Sequence, residues 1–224
     1  MEVTESSGLL AELQTAVSKH DGEMLQATID RALEVRVEAA DMHRAIIQGL
    51  ERVRHTFMSN DTSLPDFLLC IDTVTQGLGR LSSLEEAAGT VEQGIPLVIG
   101  VVEGDPHDMG KNIIAAVYRA FGYRVFDLGS QVPNEKFASS VVDNGAEVLA
   151  LSAMMSTTVV AMRDIIRDVK ARAPDTVVMV GGAPLDETLA RSYGADGYAE
   201  SAVTALEETR LAIEKAAKGS GVRP

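Results

Sequence analysis

The sequence predicts an α/β protein in two parts: an N-terminal four-helix bundle, then a doubly wound, five-stranded parallel sheet. Three observations predict it. Before about residue 90, apolar residues recur at helical spacing in four stripes. From Leu97 onward, short apolar runs of strand length alternate with helical stripes, five of each. Between the two regimes, Ser82 to Gly94 carries Ser82-Ser83, Gly89, Gly94 and three acids without a strong stripe, and reads as a linker. The expected domains are a helical domain at 1–88, a linker at 89–94 and an α/β domain at 95–224.

In the bundle, Leu9, Leu13, Ala16 and Val17 share one helix face. Leu25, Ile29, Ala32 and Leu33 share a second. Met42, Ile46, Leu50, Val53 and Phe57 form a third stripe, and Leu64, Phe67, Leu68, Ile71, Val74, Leu78 and Leu81 a fourth. Ser7 and Asp21 are candidate N-caps. Ser63-Leu64-Pro65-Asp66 has the cap serine, early proline and following acid of a helix start. The second helix should break around Val35 to Asp41.

In the second part, Leu97 to Val102 is β-branched and apolar on both faces, as a buried parallel strand requires. Ile113, Ile114, Val117 and Phe121 mark the next helix. Tyr123 to Leu128 is a second strand. Phe137, Val141 and Val142 mark a helix stopped by Asn144-Gly145. Val148 to Leu151 is the third strand, with Met162, Ile165, Ile166 and Val169 on its crossover helix. Thr176 to Val180 is the fourth. Leu185 and Leu189 begin a short helix. Gly197 to Ala199 is a fifth strand, before a helix carrying Ala202, Leu206 and Ile213. Lys218 to Pro224 is expected to fray.

Composition excludes several classes. The chain has 20 Lys+Arg against 33 Asp+Glu, so no basic stripe exists for gripping nucleic acid. One cysteine, Cys70, leaves no disulfide framework and no multi-cysteine zinc site. No apolar run approaches membrane-span length, and the acidic N-terminus lacks the pattern of a secretory signal. A cytoplasmic protein is expected.

In a doubly wound sheet, ligands bind outside the carboxyl ends of the strands. After the first strand comes Glu103-Gly104-Asp105-Pro106-His107-Asp108-Met109-Gly110-Lys111-Asn112. After the third comes Ser152-Ala153-Met154-Met155-Ser156-Thr157-Thr158. The fourth ends in Gly181-Gly182-Ala183. Taken singly, each has an ordinary explanation: a surface histidine, N-cap hydroxyls, core methionines, a tight glycine turn. Together, at three strand ends, they supply one ligand-competent imidazole, flanking carboxylates, hydroxyls and backbone without Cβ bulk.

A phosphate loop does not fit. Asn112 stands where Gly-Lys needs a hydroxyl, and Gly104 is one residue too distant. No Gly-x-Gly-x-x-Gly follows the first strand, and no Asp ends the third. His20, His43 and His55 lie in the helical half and form no ligand pair with His107.

Asp105-x-His107-x-x-Gly110, Ser152-x-Met154 and Gly181-Gly182 resemble the Asp-x-His-x-x-Gly, Ser-x-Leu and Gly-Gly elements of cobalamin-binding domains. Gly104 to Asn112 is similar to the methyl-transfer branch: methionine synthase and the corrinoid proteins of methanol and methylamine methyltransferases. Leu64 to Leu68 is similar to the start of the last helix of that branch's helical cap. The likeness spans nearly the whole chain. It departs at Pro106, where an aliphatic residue is usual, and at Met154, which replaces Leu.

The resemblance implies a Rossmann/flavodoxin-like sheet and cobalamin as cofactor (methylcobalamin, cob(I)alamin or a related corrinoid). It makes His107 the lower ligand of cobalt, displacing the cofactor's own benzimidazole. Asp105 would accept from the other imidazole nitrogen, and Thr158 would complete the relay. Ser152 and Ser156 would face the displaced nucleotide tail, Gly181 and Gly182 would leave it space, and Gly110 would keep its way in open. Gly104, Asp108, Met109, Met154 and Ala202 complete the expected binding set. Phe57, Met58, Phe67 and Leu68 are candidate lids on the upper face, with Ser82 to Gly94 as hinge.

The implied role is a corrinoid subunit of a methyltransferase system, incomplete as an enzyme alone. It would shuttle a methyl group from a substrate-specific methyltransferase to a second one, whose acceptor is tetrahydrofolate or a thiol. A reductive activation protein would be a third partner; nucleic acid and membrane would not be partners. The relay chemistry is sound: imidazole suits cobalt, and a carboxylate behind it fixes the tautomer and raises basicity. The rivals are a cobalamin sensor or storage module without turnover, and the small subunit of a cobalamin mutase.

Overall fold

The computed structural model describes residues 2–59, 61–88 and 94–219. The chain forms two compact units that divide between residues 92 and 93.

The first unit has four helices: α1 (Glu2–Ser18), α2 (Gly22–Glu34), α3 (Ala39–Met58) and α4 (Leu64–Ala88). The expected stripes supply its core. Leu13, Ile29, Met42, Ile46, Leu50, Phe67, Val74 and Leu81 are all buried. Each such side chain is worth about 1.5–3 kcal/mol against exposure. Leu33 and Leu64, counted in those stripes, face outward instead. Asp21 caps α2 by accepting the Met24 N–H at 2.9 Å. The Ser63 hydroxyl accepts the Asp66 N–H and donates to its carboxylate at 2.6 Å, a reciprocal cap that starts α4.

Three expectations are corrected here. Ser7 lies inside α1, which begins at Glu2, and is no cap. The linker expected from Ser82 begins later, because α4 runs on to Ala88. Leu84-Glu85-Glu86-Ala87-Ala88 are strong helix formers, and two serines do not stop a helix already under way. Residues 89–93 of that linker lie outside the described residues. Phe67 is fully buried in the bundle and stacks on Phe57 at 4.9 Å, so it is core and not a lid. The Met58 side chain lies outside the description.

The second unit is a parallel sheet in the order β2-β1-β3-β4-β5. Its strands are β1 (Pro96–Val101), β2 (Arg124–Asp127), β3 (Val148–Ser152), β4 (Val177–Gly181) and β5 (Gly197–Ala199). The helices are α5 (Met109–Ala120), α6 (Asn134–Asn144), α7 (Ala161–Arg172), α8 (Glu187–Tyr193) and α9 (Ala202–Gly219). Gly145, left-handed at φ 57°, ends α6 at the expected stop. Lys218, expected to fray, still belongs to α9, and residues 220–224 lie outside the description.

The two faces differ in side-chain size. Val98, Leu149, Leu151, Val178 and Val180 pack with Phe137, Met162, Ile165 and Val169 from α6 and α7. The opposite face, under α5 and α9, carries the row Ile99, Ala150, Met179, Gly197 and the row Val101, Ser152, Gly181, Ala199. Small residues gather at its carboxyl end. The chain leaves β1 to build β2 on one side and β3 on the other, so the topology switches between β1 and β3.

Candidate functional site

The loop after β1 turns at Gly104, whose φ of 78° favours glycine. It sends Asp105 inward, fully buried. Its carboxylate collects five donors. Oδ1 accepts the His107 N–H at 3.1 Å and the His107 Nδ1–H at 2.8 Å. Oδ2 accepts the Met154 N–H at 2.7 Å, the Met155 N–H at 3.1 Å and the Thr158 hydroxyl at 3.0 Å. Burial pushes the Asp105 carboxyl up. The backbone N–H groups of Met154 and His107, the imidazole and Thr158 outweigh that and bring it down to about 2. Asp105 is therefore an anion that ties the β1 loop to the β3 loop.

His107 gains its geometry from that anion. With Nδ1 carrying the proton toward Asp105, Nε2 keeps its lone pair. The side chain is 58% exposed, so the free nitrogen is open to a ligand. The Thr158 Oγ1 also lies 3.0 Å from the Met155 carbonyl, so its one proton has two acceptors to choose between. His107, Asp105 and Thr158 thus form a continuous hydrogen-bonded chain. Around it, Met109, Met154, Met155 and Val160 expose apolar surface.

The strand ends beside it are kept small. A Cβ on Gly182 would come within 1.7 Å of the Ala153 carbonyl oxygen, and φ there is 133°. A Cβ on Gly181 would meet the Ala199 carbonyl at 3.0 Å. A Cβ on Gly110 would point into open space, so nothing obstructs the start of α5. Ser152 is half-buried between Val101 and Gly181. Below it runs a narrow crevice of about 30 Å³ between the sheet and α5–α9, lined by Ile99, Ala150, Met179, Ala199 and Ala205 among others. Asp108 is the N-cap residue of α5 without a side-chain cap bond, and Ser156 is exposed in the β3 loop. The side chain of Ala202, where α9 begins, lies outside the description.

Three residues of consequence were missed from the sequence. Lys111, which the sequence reading gave no role, is 2% exposed. Its Nζ reaches both carboxylate oxygens of Asp127, at the end of β2, at 2.5 Å each. Asp127 also accepts the Gly129 N–H at 2.9 Å. Burial raises its carboxyl, but Lys111, Gly129 and Arg119 hold it below the usual range. Tyr118, the third, is buried on the α5 face that lines the crevice. The signal was present only as a periodicity: Lys111, Ala115 and Tyr118 follow helical spacing once Lys111 is counted as inward.

The arrangement fits a metal that needs one nitrogen ligand from the protein and a side arm that needs a small-residue crevice. Comparison with known proteins gives the family. Two family models, each described as a B12 binding domain, match residues 9–82 and 95–207. The chain is 33% identical over 205 residues to dimethylamine corrinoid protein 2 of Methanosarcina acetivorans, covering 90% of this chain and 94% of that one. It is 30% identical over 209 residues to the trimethylamine corrinoid protein of Methanosarcina barkeri, covering 92% and 96%. Among solved structures, a cobalamin-binding protein from Desulfitobacterium hafniense superposes with a TM-score of 0.74 at 25% identity, over 91% of this chain and 98% of that one. A chain of the methanol:cobalamin methyltransferase complex of Methanosarcina barkeri shares the fold, with a TM-score of 0.83 at 23% identity over 97% and 86%. The chain belongs to the B12-binding corrinoid proteins, the family of the methylamine and methanol corrinoid proteins.

Proposed function

We propose that this corrinoid protein carries a methyl group between two enzymes, with His107 as the lower ligand of cobalt and the cofactor's own base displaced into the crevice beside β3 and β4. The observation that supports it most is the five-donor Asp105, which fixes His107 as an Nδ1–H tautomer with Nε2 outward. When bound, the corrinoid supplies a cobalt centre able to accept and release a methyl group.

The chain's own residues do the rest. Asp105 holds the proton at Nδ1 while Nε2 binds, and so strengthens the imidazole as a donor. When Nε2 is released, the ring is free to take a proton there, with the same carboxylate facing Nδ1. Thr158 tunes that balance by giving its proton to Asp105 or to the Met155 carbonyl. Ser152 and the two glycines of β4 line the path of the displaced tail. The exposed methionines Met109, Met154 and Met155 offer soft apolar contact beneath a flat ring.

Residues 1–88 form the helical cap domain, 95–224 the corrinoid-binding domain, and 89–94 the hinge that lets a partner reach the cofactor. The partners are a substrate-specific methyltransferase, an acceptor-side methyltransferase and a reductive activation protein. The similar proteins are named for dimethylamine and trimethylamine, which puts methylated amines first among donors. Among the described residues, no helix is long and apolar enough to cross a membrane; the reading places the work in the cytoplasm. The test is reconstitution with cobalamin, reduction, and supply of each methylamine with its methyltransferase. Corrinoid spectra that cycle with turnover support the carrier; tight binding without cycling points to a sensor or storage protein.

A further inference from the structure

Tyr118 closes the deep end of the crevice. It lies on α5 eight residues beyond Gly110, about 12 Å further from the His107 loop at the usual helical rise. Ala150 and Met179 lie two residues below Ser152 and Gly181 on the same sheet face, so the crevice runs from the strand ends down toward this ring. The ring is held on several sides. It packs edge-on against Tyr123, with centroids 5.1 Å apart. Its hydroxyl lies 2.6 Å from Thr209 Oγ1, which lies 2.7 Å from the Ala205 carbonyl. The Tyr118 hydroxyl also lies 3.4 Å from the Ala205 carbonyl, so either hydroxyl can donate to the other while the second donates to Ala205. The bridge joins α5 to α9 beneath the crevice and uses both hydroxyl protons.

The rest of the lining is softer. Ile99, Ile114 and Met179 can change rotamer, and Met is the most adaptable of core side chains. The cavity of about 30 Å³ holds roughly one water molecule, so any ring that enters must displace side chains. Walls that yield admit it; a floor held by two helices stops it.

We propose that Tyr118 is a depth gauge that makes the chain discriminate among corrinoids by the length of the displaced lower base, favouring an unsubstituted benzimidazole over the 5,6-dimethyl form. This rests on the reading that the base leaves cobalt and enters this crevice. Two extra methyl carbons driven against a fixed ring are overpacking, which a close-packed interior resists.

The experiment is equilibrium binding to the full chain, followed by corrin absorbance, with three corrinoids: hydroxocobalamin, its unsubstituted benzimidazole analogue, and cobinamide, which has no base. The wild type should bind the unsubstituted form about tenfold more tightly than hydroxocobalamin, the scale on which a methylene is discriminated in a packed pocket. Tyr118→Leu should bring the two within about twofold. Tyr118→Phe, which keeps the ring, should retain the wild-type ratio. Tyr118→Met supplies a second deepened floor should the leucine variant fail to fold. A ratio unchanged in the leucine or methionine variant, or lost in the phenylalanine variant, overturns the gauge. Cobinamide binding as tightly as both tailed forms overturns the underlying reading, and the gauge with it.

Discussion

Asp105 concentrates the chemistry of the site in one buried side chain. Its carboxyl sits at about 2 in the folded protein against an ordinary 3.8. A carboxyl depressed by folding stabilises the protein above its unfolded value, and that stability is lost as pH falls through the folded one. Asp105→Asn should therefore flatten the fall in urea midpoint between about pH 4 and pH 2 and lower stability near neutrality by about 2–3 kcal/mol. It should also shift the pH dependence of the His-on to His-off spectral change; an unchanged titration counts against the relay. Gly182→Ala should be severe. Its Cβ would overlap the Ala153 carbonyl, and Met154 next door donates to Asp105. Melting should show a loss of more than about 3 kcal/mol, with weaker corrinoid binding. His107 and Asp105 stood out by their place in a strand-end turn; their pairing was read from the family resemblance. Thr158 became legible only through the family resemblance. The two backbone donors from Met154 and Met155 were not legible, since a loop's N–H directions leave no mark in residue type.

At the scale of elements, α5 shows where reading fails and why. Hydrophobic periodicity counts lysine as outward, and Ile113, Ile114, Val117 and Phe121 seemed to define the buried face. Of these the structure fully buries Val117 alone, together with Lys111, Ala115 and Tyr118. Burial of Lys111 is tolerable because Asp127 meets its charge, and Asp127 sits on another element. A pattern confined to one helix cannot see that. Lys111→Met should cost about 2–3 kcal/mol by leaving Asp127, which is partly exposed, with the more distant Arg119 as its remaining cation. Lys111→Met with Asp127→Leu should cost less than the two single changes summed, read from urea denaturation of all four proteins. α4 errs in the other direction. Serines suggested an early end, while the alanines and glutamates after them extended the helix to Ala88.

For the whole molecule, the division into a helical and a sheet part was plain, because the hydrophobic period changes from one to the other. Strand order was not. β1, β3 and β4 are similar apolar runs, and only their hydrogen-bonded register says which lie side by side. That order is what brings the His107 loop and the Thr158 loop together at the switch between β1 and β3. If the segment 89–94 is the hinge of a cap, as proposed, a protease should cut it at a different rate once corrinoid is bound. Equal cutting with and without corrinoid would contradict the cap.

The ligand to cobalt is tested most directly by electron spin resonance. The protein is labelled with ¹⁵N-histidine, loaded with unlabelled cobalamin and reduced to the cobalt(II) form. The account predicts that the nitrogen splitting changes from the three-line pattern of ¹⁴N to the two-line pattern of ¹⁵N, and that His107→Ala removes it. A three-line pattern that survives the label would mean that the cofactor still holds its own base, and would contradict the account.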